Sequence, residues 1–389
     1  MKLPRSFFWV IPVFLLVLPL LFADEAEDFP NTETTGDAIA WVIPIEGDIT
    51  RSMATFVRRE ARRAVDLGAE YLIFEIDTFG GRVDSSLQIT SFMMSVRGVT
   101  TVAWVRNTET SMGVSWSAGA LIALACSQIY MANGTSIGAA APVAVGPDGS
   151  ADATGEKTVA AVRSQIAALA ERNGHPTGIA LAMVDYDIEL WEIEIDGAIN
   201  VVTAQELERL EALRPGQAGA HRELRRVGII SEEGKLLSLT AGEAFRYGLT
   251  RGLADDREEL LGHLGDVRIM EESFPSAWDS IISFLISGPV QGALILLGLV
   301  LLFLELQSPG FAIPGTLAIV CFILVFGSSF MLGRVNSLEI ILFIIGLGLL
   351  AVELFLLPGF GIIGISGIIV IALSLILSMQ DFVIPRASW

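Results

Sequence analysis

The region after residue 287 is almost free of charge, and this feature constrains the fold more than any other. Its only charged side chains before residue 381 are Glu305, Arg334, Glu339 and Glu353. Each of four apolar stretches is long enough to cross the hydrocarbon core of a bilayer as a helix: residues 288–306, 310–332, 338–357 and 361–379. We therefore predict an all-α transmembrane bundle of about four helices at 288–380, with a short tail at 381–389.

The bundle is predicted to be a duplicated helical hairpin. The segments QSPGFAIPG and LLPGFGIIG resemble each other, and their alignment pairs Glu305 with Glu353 and Pro309 with Pro358, 48 and 49 residues apart. The predicted helices are rich in glycine, which permits close helix packing in lipid: Gly298, Gly346, Gly348, Gly364 and Gly367. For the two glutamates we favour an interfacial position or an interhelical hydrogen bond over an ion or proton site.

Residues 1–23 have the parts of a secretory signal peptide: a short basic region, an apolar run and the small residue Ala23. An uncleaved membrane anchor is the alternative. Either interpretation sends the domain after a linker at 24–37 across the membrane, so we expect a multi-pass protein of the cell membrane with this domain on the exported side. Arg334 and Arg386 would then also lie outside, against the positive-inside tendency, which leaves the number and orientation of the spans open.

The formal net charge of −19 lies almost wholly in the first 280 residues. An acidic surface repels phosphate backbones, so nucleic acid is set aside as a partner class. Cys126 and Cys321 fall in different regions and are poor candidates for a disulfide bridge. The histidines, His175, His221 and His263, are isolated and no paired cysteines accompany them, so we expect surface histidines, no metal site and no cofactor.

Residues 38–265 are predicted to form an α/β domain. The strand AIAWVIPIEG, the amphipathic segment ITRSMATFVRREARRAVDLG and the strand YLIFEID make one βαβ unit. The alternation continues with VDSSLQITSFMMSV as helix, TTVAWVRN as strand, ALIALACS as helix and QIYMA as strand. This order predicts a mostly parallel sheet covered by helices, with ligands bound beyond the carboxyl ends of its strands. The following segment, 266–287, is predicted as a linker, with apolar residues at a spacing that indicates either an interfacial helix or the start of the first span.

Two motifs lie at the carboxyl ends of these strands. DTFGG, from Asp77 to Gly81, follows the second strand, and its paired glycines permit close approach of a ligand oxygen to free N–H groups. A plain tight turn is the alternative. Ser117 stands where a strand gives way to a helix, where a hydroxyl either caps the helix or acts as a nucleophile. In the second case the N–H of Ala118 would face a developing oxyanion.

A serine nucleophile needs a base, and no histidine lies in the part of the domain that carries these motifs. The stretch from 134 to 172 contains one lysine, Lys157, at the start of an amphipathic helix. Burial lowers the pKa of a lysine and enables it to act as a general base. A solvated surface lysine is the alternative.

In this order, the motifs resemble those of the NfeD family of membrane-bound ClpP-class serine proteases. The matching segments are IPIEGDI, DTFGG, SAGALIALAC, GTSIGAAAPV, the helix with Lys157, and LSLTAGEAFRYGLTRGLADD, followed by the apolar bundle. The resemblance implies a ClpP/crotonase-like α/β domain and a membrane-anchored serine endopeptidase with a Ser-Lys dyad. Ser117 matches the nucleophile and Lys157 the general base, while Gly80, Gly81 and Ala118 match the oxyanion hole. Ser115 is a rival nucleophile by composition, but the Ser-Ala-Gly match falls on Ser117.

The resemblance also implies hydrophobic peptides or membrane proteins as substrates and a stomatin- or flotillin-like membrane protein as partner. We further expect a homo-oligomer, a dimer or larger. Phe79 stands where the family usually has proline, and the small OB-type barrel of many long members is not seen after the last predicted span. A non-proteolytic membrane scaffold that works with stomatin- or flotillin-like proteins is the alternative function, and an acyl-CoA enzyme of the crotonase superfamily is a weaker third.

Overall fold

The computed structural model describes residues 38–145, 151–153, 156–213, 224–307, 312–331, 337–356 and 361–379. These residues form two compact units, one ending at Pro275 and the other beginning at Ser276. The predictions for the signal peptide at 1–23, the linker at 24–37 and the tail at 381–389 lie outside the described residues.

The first unit is built on a six-stranded sheet in the order β13-β5-β3-β2-β1-β14, in which every neighbouring pair is parallel. Its strands are β1 (Ala38–Glu46), β2 (Tyr71–Asp77), β3 (Thr100–Val105), β5 (Gln128–Met131), β13 (Gly252–Leu253) and β14 (Val267–Glu272). In the central strands β1, β2 and β3 nearly every residue is buried or half-buried, because both faces of the sheet are covered there. This arrangement confirms the predicted α/β class and the mostly parallel sheet.

Eight helices are described in this unit, and the first four lie where the sequence predicts helices. They are α1 (Arg51–Asp66), α2 (Val83–Ser95), α3 (Ala118–Ala125), α4 (Glu156–Asn173), α5 (Thr177–Ala182), α6 (Ala204–Ala212), α7 (Ala241–Arg246) and α8 (Arg257–Leu264). In α1, Ala54, Val57, Ala61 and Ala64 are fully buried at helical spacing, and the Thr50 side chain caps the helix by accepting from the N–H of Met53. Helix α3 is buried along its whole length, so it is a core helix.

Smaller sheets complete the unit. Strand β6 (Ser136–Gly138) lies between β4 (Val114–Trp116) and β12 (Ser238–Thr240), and β9 (Leu190–Ile195) lies between β10 (Ala198–Thr203) and β11 (Leu224–Ser231). A two-stranded ribbon joins β7 (Val143–Val145) to β8 (Ala151–Ala153). Of these strands, β4 bears most directly on function because it ends one residue before Ser117.

Two expectations change with the structure. The segment 266–287, predicted as a linker, contains β14, whose Val267 and Ile269 pack against a cluster on one face of the sheet. The pairing of β14 with β1 is a long-range contact that a six-residue pattern does not reveal.

His175, predicted at the surface, is buried, and its Nε2 lies 2.8 Å from the carbonyl oxygen of Cys126. Burial lowers the pKa of His175. The prediction of a surface residue is therefore wrong for this histidine.

The second unit is helical. It comprises α9 (Ala277–Ile286), α10 (Gly288–Gln307), α11 (Ala312–Met331), α12 (Ser337–Leu356) and α13 (Ile362–Met379). Within the described residues two segments, Gly288–Glu305 and Ile313–Phe330, are long and apolar enough to cross a membrane, and shorter apolar stretches lie in α9, α12 and α13. The capping box of Ser276 and Asp279 starts α9, none of whose residues is buried.

Polar contacts in this unit follow the predicted repeat. The carboxylate of Glu305, near the end of α10, accepts from the N–H of Gly315 in the first turn of α11 at 3.1 Å. Glu353, near the end of α12, accepts likewise from the N–H of Gly361, directly before α13. Each glutamate thus satisfies a backbone donor at the start of the next helix. The preference for hydrogen bonding between helical segments is confirmed.

Candidate functional site

The DTFGG turn and the segment before Ser117 are held together by Asp77. The Asp77 carboxylate accepts from the N–H of Met112 at 3.0 Å and from the N–H of Val114 at 3.3 Å. Both donors belong to the chain entering β4, the strand that leads to Ser117. The last residue of β2 therefore fixes where the strand before the serine begins.

Thr78 extends this connection to the glycine turn. Its backbone N–H donates to the carbonyl of Val114 at 2.8 Å, and its own carbonyl accepts from the N–H of Trp116 at 3.0 Å. Its buried hydroxyl donates to the carbonyl of Gly47 at 2.5 Å and accepts from the N–H of Gly80 at 2.9 Å. One threonine thus links the end of β1, the strand β4 and the glycine turn.

Neither glycine of the turn can carry a side chain. Gly80 has φ of +120° and Gly81 has φ of +153°, a region essentially restricted to glycine. A Cβ on Gly80 would lie 2.6 Å from the Cβ and 2.9 Å from the Oγ of Ser117. A Cβ on Gly81 would lie 2.5 Å from the backbone nitrogen of Ile49. The glycines let the turn lie directly against Ser117 on one side and Ile49 on the other.

The two glycine N–H groups point to different partners. The N–H of Gly80 is bound to Thr78. Gly81 bridges Ile49 in parallel fashion, with Ile49 donating to the carbonyl of Gly80 and accepting from the N–H of Arg82. In such a bridge the residue between the two bonds turns its own N–H to the opposite side. The Gly81 N–H has no partner among the described residues, which leaves it available to a ligand.

Ser117 occupies the N-cap position of α3 without capping it. Its backbone is in an unusual conformation, φ +54° and ψ −116°, and its side chain makes no capping hydrogen bond. The N–H of Ser117 donates to the carbonyl of Gly138 at 2.9 Å, which anchors the strained residue. Its Oγ has no hydrogen-bond partner among the described residues. The alternative of a simple helix cap is therefore not realised.

The helix N-terminus beside Ser117 offers backbone donors. Within the described part of the chain, the N–H of Ala118 has no acceptor, because Ala118 is the first residue of α3 and the residue four positions earlier, Val114, lies in β4. Free N–H groups and the helix dipole at this end favour a negative charge. Ser115, the rival serine, is fully buried with no partner for its Oγ, so a substrate does not reach it.

Lys157 is not hydrogen-bonded to this network. It is in the first turn of α4, its side chain is exposed, and it makes no hydrogen bond or ion pair with any described residue. The structure therefore brings together Gly80, Gly81, Ser117 and Ala118, and Lys157 forms no hydrogen bond with them.

Residues that the motif analysis did not assign also shape the site. Asp77 and Thr78 are the main ones. The sequence signal for them was a polar pair between a buried strand and the glycine turn, where such side chains commonly bind nearby backbone groups.

Asp84, in the first turn of α2, receives hydrogen bonds from Arg51 at 2.9 Å and Arg82 at 3.0 Å. Burial alone would raise the pKa of Asp84, but these bonds outweigh it and lower the pKa to about 2.

Neither a metal site nor a reactive cysteine is supported by the described residues. No group of three or more His, Cys, Asp or Glu side chains there is placed to hold a metal ion. Cys126 is fully buried, and burial raises the pKa of its thiol, so it behaves as a structural residue. The serine at the helix N-terminus is the chemically distinctive group of this unit.

Fold and site together define a class: an α/β protein with a glycine turn against a strained serine, joined in one chain to apolar helices. Residues 39–214 match the NfeD1b N-terminal domain, and residues 289–388 match the NfeD integral membrane domain. The membrane protein NfeD1b of Bacillus subtilis is 30% identical over 352 residues, which cover 90% of this chain and 69% of that protein. The chain belongs to the NfeD family of membrane proteins.

Other similar proteins are more distant. The membrane-bound protease PH1510 of Pyrococcus horikoshii is 26% identical over 349 residues, covering 85% of this chain and 67% of that protein. Among solved structures, the 1510-N membrane protease specific for a stomatin homolog from Pyrococcus horikoshii matches with 22% identity and a TM-score of 0.41, covering 64% of this chain and 98% of that one. ClpP1 from Listeria monocytogenes matches with 15% identity and a TM-score of 0.34, covering 56% and 94%.

Proposed function

We propose that this protein is a membrane-anchored serine endopeptidase with Ser117 as its nucleophile. The observation that carries the proposal is the state of Ser117, whose Oγ is released from capping in a strained backbone and lies against the side-chain-free Gly80. Strain of this kind concentrates at functional sites because the surrounding structure must maintain it. Similarity to the relative named membrane-bound protease PH1510 supports peptide-bond hydrolysis as the reaction.

In the proposed reaction, Ser117 Oγ attacks the carbonyl carbon of the scissile peptide bond and its proton passes to the amine of Lys157, a step that requires the exposed side chain to come within hydrogen-bond reach of Ser117. The oxyanion accepts hydrogen bonds from the N–H groups of Gly81 and Ala118. Gly80 makes room for Ser117 and is not a donor, since its own N–H is bound to Thr78. Lys157 then protonates the leaving amine, and water releases the acyl group from Ser117.

The proposed substrates are hydrophobic segments of membrane-associated polypeptides. The stomatin homolog named for the 1510-N protease makes a stomatin-like membrane protein the first to test, both as substrate and as partner. We also propose that the α/β unit lies on the exported side, that the chain crosses the membrane several times and that it forms a homo-oligomer. These proposals on membrane topology and oligomeric state rest on the predictions made from the sequence.

The test is cleavage of hydrophobic peptides by the full-length protein in detergent or lipid nanodiscs. Ser117→Ala and Lys157→Ala are each expected to reduce kcat/KM by a factor on the order of 1,000 or more. The matched controls are Ser115→Ala, at the buried serine, and Lys235→Ala, at a surface lysine of the same unit. Cleavage that survives both Ser117→Ala and Lys157→Ala would refute this mechanism.

One observation favours a second candidate function. The exposed position of Lys157, without a contact to Ser117, is what a non-proteolytic scaffold with a vestigial dyad would show. In that case the protein binds stomatin- or flotillin-like membrane proteins without cutting them. Retention of the cellular phenotype by Ser117→Ala, together with its loss on deletion of the apolar helices, would support the scaffold instead.

A further inference from the structure

Two aromatic residues directly precede residues of the proposed site in the chain. Phe79 precedes Gly80 and Trp116 precedes Ser117, so each ring is one residue from a half of the site. The rings meet edge to face, with centroids 5.4 Å apart and planes at 61°. This is a favoured geometry for an aromatic pair.

Phe79 is exposed and Trp116 is half-buried, and both are held in place. Phe79 is 52% exposed although it belongs to a turn that is otherwise tightly bonded. Trp116 is fixed by its backbone N–H, which donates to Thr78, and by its indole N–H, which donates to the Ser136 hydroxyl at 2.9 Å. Phe79 therefore rests on an oriented ring and forms an apolar surface without large movements of its own.

The exposure of Phe79 has a physical cost that a ligand can recover. Burying a phenylalanine side chain contributes about 1.5 to 3 kcal/mol, and about half of this ring remains in water. A single exposed apolar residue is ordinary on a protein surface. Here, however, the two rings contact each other and each belongs to the residue directly before a residue of the site, Gly80 or Ser117, so a side chain that covers them belongs to a residue near the proposed scissile bond.

We infer that Phe79 and Trp116 form a specificity subsite that receives a large apolar side chain of the substrate, branched aliphatic or aromatic, at a residue flanking the cleaved bond. This inference rests on the proposed endopeptidase function and names a determinant of its substrate choice. Phe79 supplies the contact face, and Trp116 positions it. Peptides with a small residue at that position bind and react less well because they leave the rings hydrated.

The experiment compares decapeptides that are identical except for Leu, Phe, Ala or Ser at one position, with that position moved along an apolar host sequence. Full-length protein in nanodiscs cleaves them, and mass spectrometry locates the bond. We expect Phe79→Ala to reduce the preference in kcat/KM for Leu or Phe over Ala by about threefold to tenfold, chiefly through KM. Phe79→Leu should retain part of the preference, and Phe245→Ala, at a residue with 53% exposure on α7, should leave it unchanged.

A binding measurement separates this inference from the proposed function. In a Ser117→Ala background, the fluorescently labelled Leu peptide should bind more tightly than the Ala peptide, and the additional Phe79→Ala change should reduce that difference. Absence of cleavage by the unmodified protein would defeat the proposed function, while the binding series would still decide on the subsite. An unchanged preference in Phe79→Ala, in cleavage or in binding, would overturn the inference, as would an equal loss for all peptides.

Discussion

Replacing Thr78 by valine tests whether one hydroxyl holds the proposed site together. Valine keeps the shape and the methyl group of threonine and removes the hydroxyl. In the structure this hydroxyl donates to the Gly47 carbonyl at 2.5 Å and accepts from the Gly80 N–H at 2.9 Å. The substitution therefore leaves a backbone acceptor and a backbone donor without this partner.

The expected loss of stability follows from these two groups. Leaving the buried N–H of Gly80 unpaired costs about 1 to 3 kcal/mol, losing the bond to the carbonyl of the exposed Gly47, which water can replace, costs about 1 kcal/mol, and the added buried methyl group offsets about 1 kcal/mol. The free energy of unfolding of Thr78→Val should thus fall by about 2 kcal/mol, which lowers the melting temperature of a unit of this size by roughly 4 to 8 °C. Because Gly80 loses its anchor beside Ser117, kcat/KM should fall by about 100-fold even where the protein remains folded.

The assay is thermal unfolding of the full chain in detergent, followed by tryptophan fluorescence, to which the buried Trp41 and Trp104 contribute. Thr90→Val is the matched control, because Thr90 is equally buried but its hydroxyl bonds only the carbonyl of Leu87, at 3.3 Å within α2. Thr78→Ser should restore most of the activity, since it keeps the hydroxyl. If Thr78→Val melts within about 2 °C of Thr90→Val, the proposed role of the hydroxyl is refuted.

Two further predictions concern charge and helix packing. The pKa of Asp84 is lowered to about 2, so its ion pairs stabilise the protein above pH 4, and this contribution is lost as the pH falls from about 4 to about 2. The melting temperatures of the wild type and of Asp84→Asn should therefore converge in that pH range. If the two curves of melting temperature against pH stay parallel, the lowered pKa is contradicted. Gly346→Ala should destabilise the α12–α13 hairpin, because its Cβ would lie 2.6 Å from an Ile371 side-chain carbon and 2.9 Å from the Gly367 carbonyl oxygen. In Gly348→Ala the Cβ meets no atom within 4 Å, so this control should be neutral. Chemical denaturation in detergent measures both, and equal effects would refute close helix packing at Gly346.

Much of the architecture was predictable from local patterns. The α/β class, the alternation through Met131 and the four apolar helices follow from hydrophobic periodicity and length, which are properties of short windows of sequence. For Glu305 and Glu353 an interfacial position or an interhelical hydrogen bond was predicted, and the structure shows that each accepts a hydrogen bond at the start of the next helix. Strand β14 was not, because its place in the sheet depends on pairing with β1, more than 200 residues earlier.

The candidate site shows the same division. Motif order selected Gly80, Gly81, Ser117 and Ala118, and the structure brings these residues together at one edge of the sheet. The resemblance to the NfeD family implied that both glycines belong to the oxyanion hole. The structure shows the Gly80 N–H bound to Thr78, so Gly81 is left as the available donor of the pair.

The sequence by itself thus determined the strands and helices with clear local patterns, the apolar helices, and that Ser117, and not Ser115, is followed by the small pair Ala118 and Gly119. Only the tertiary structure decided that Ser115 is buried and Ser117 uncapped, that His175 lies inside and Lys157 outside, and that Phe79 meets Trp116. The physical reason is that periodicity and turn chemistry act over a few residues, whereas burial and hydrogen-bond partners depend on segments that meet only after the sheet has formed.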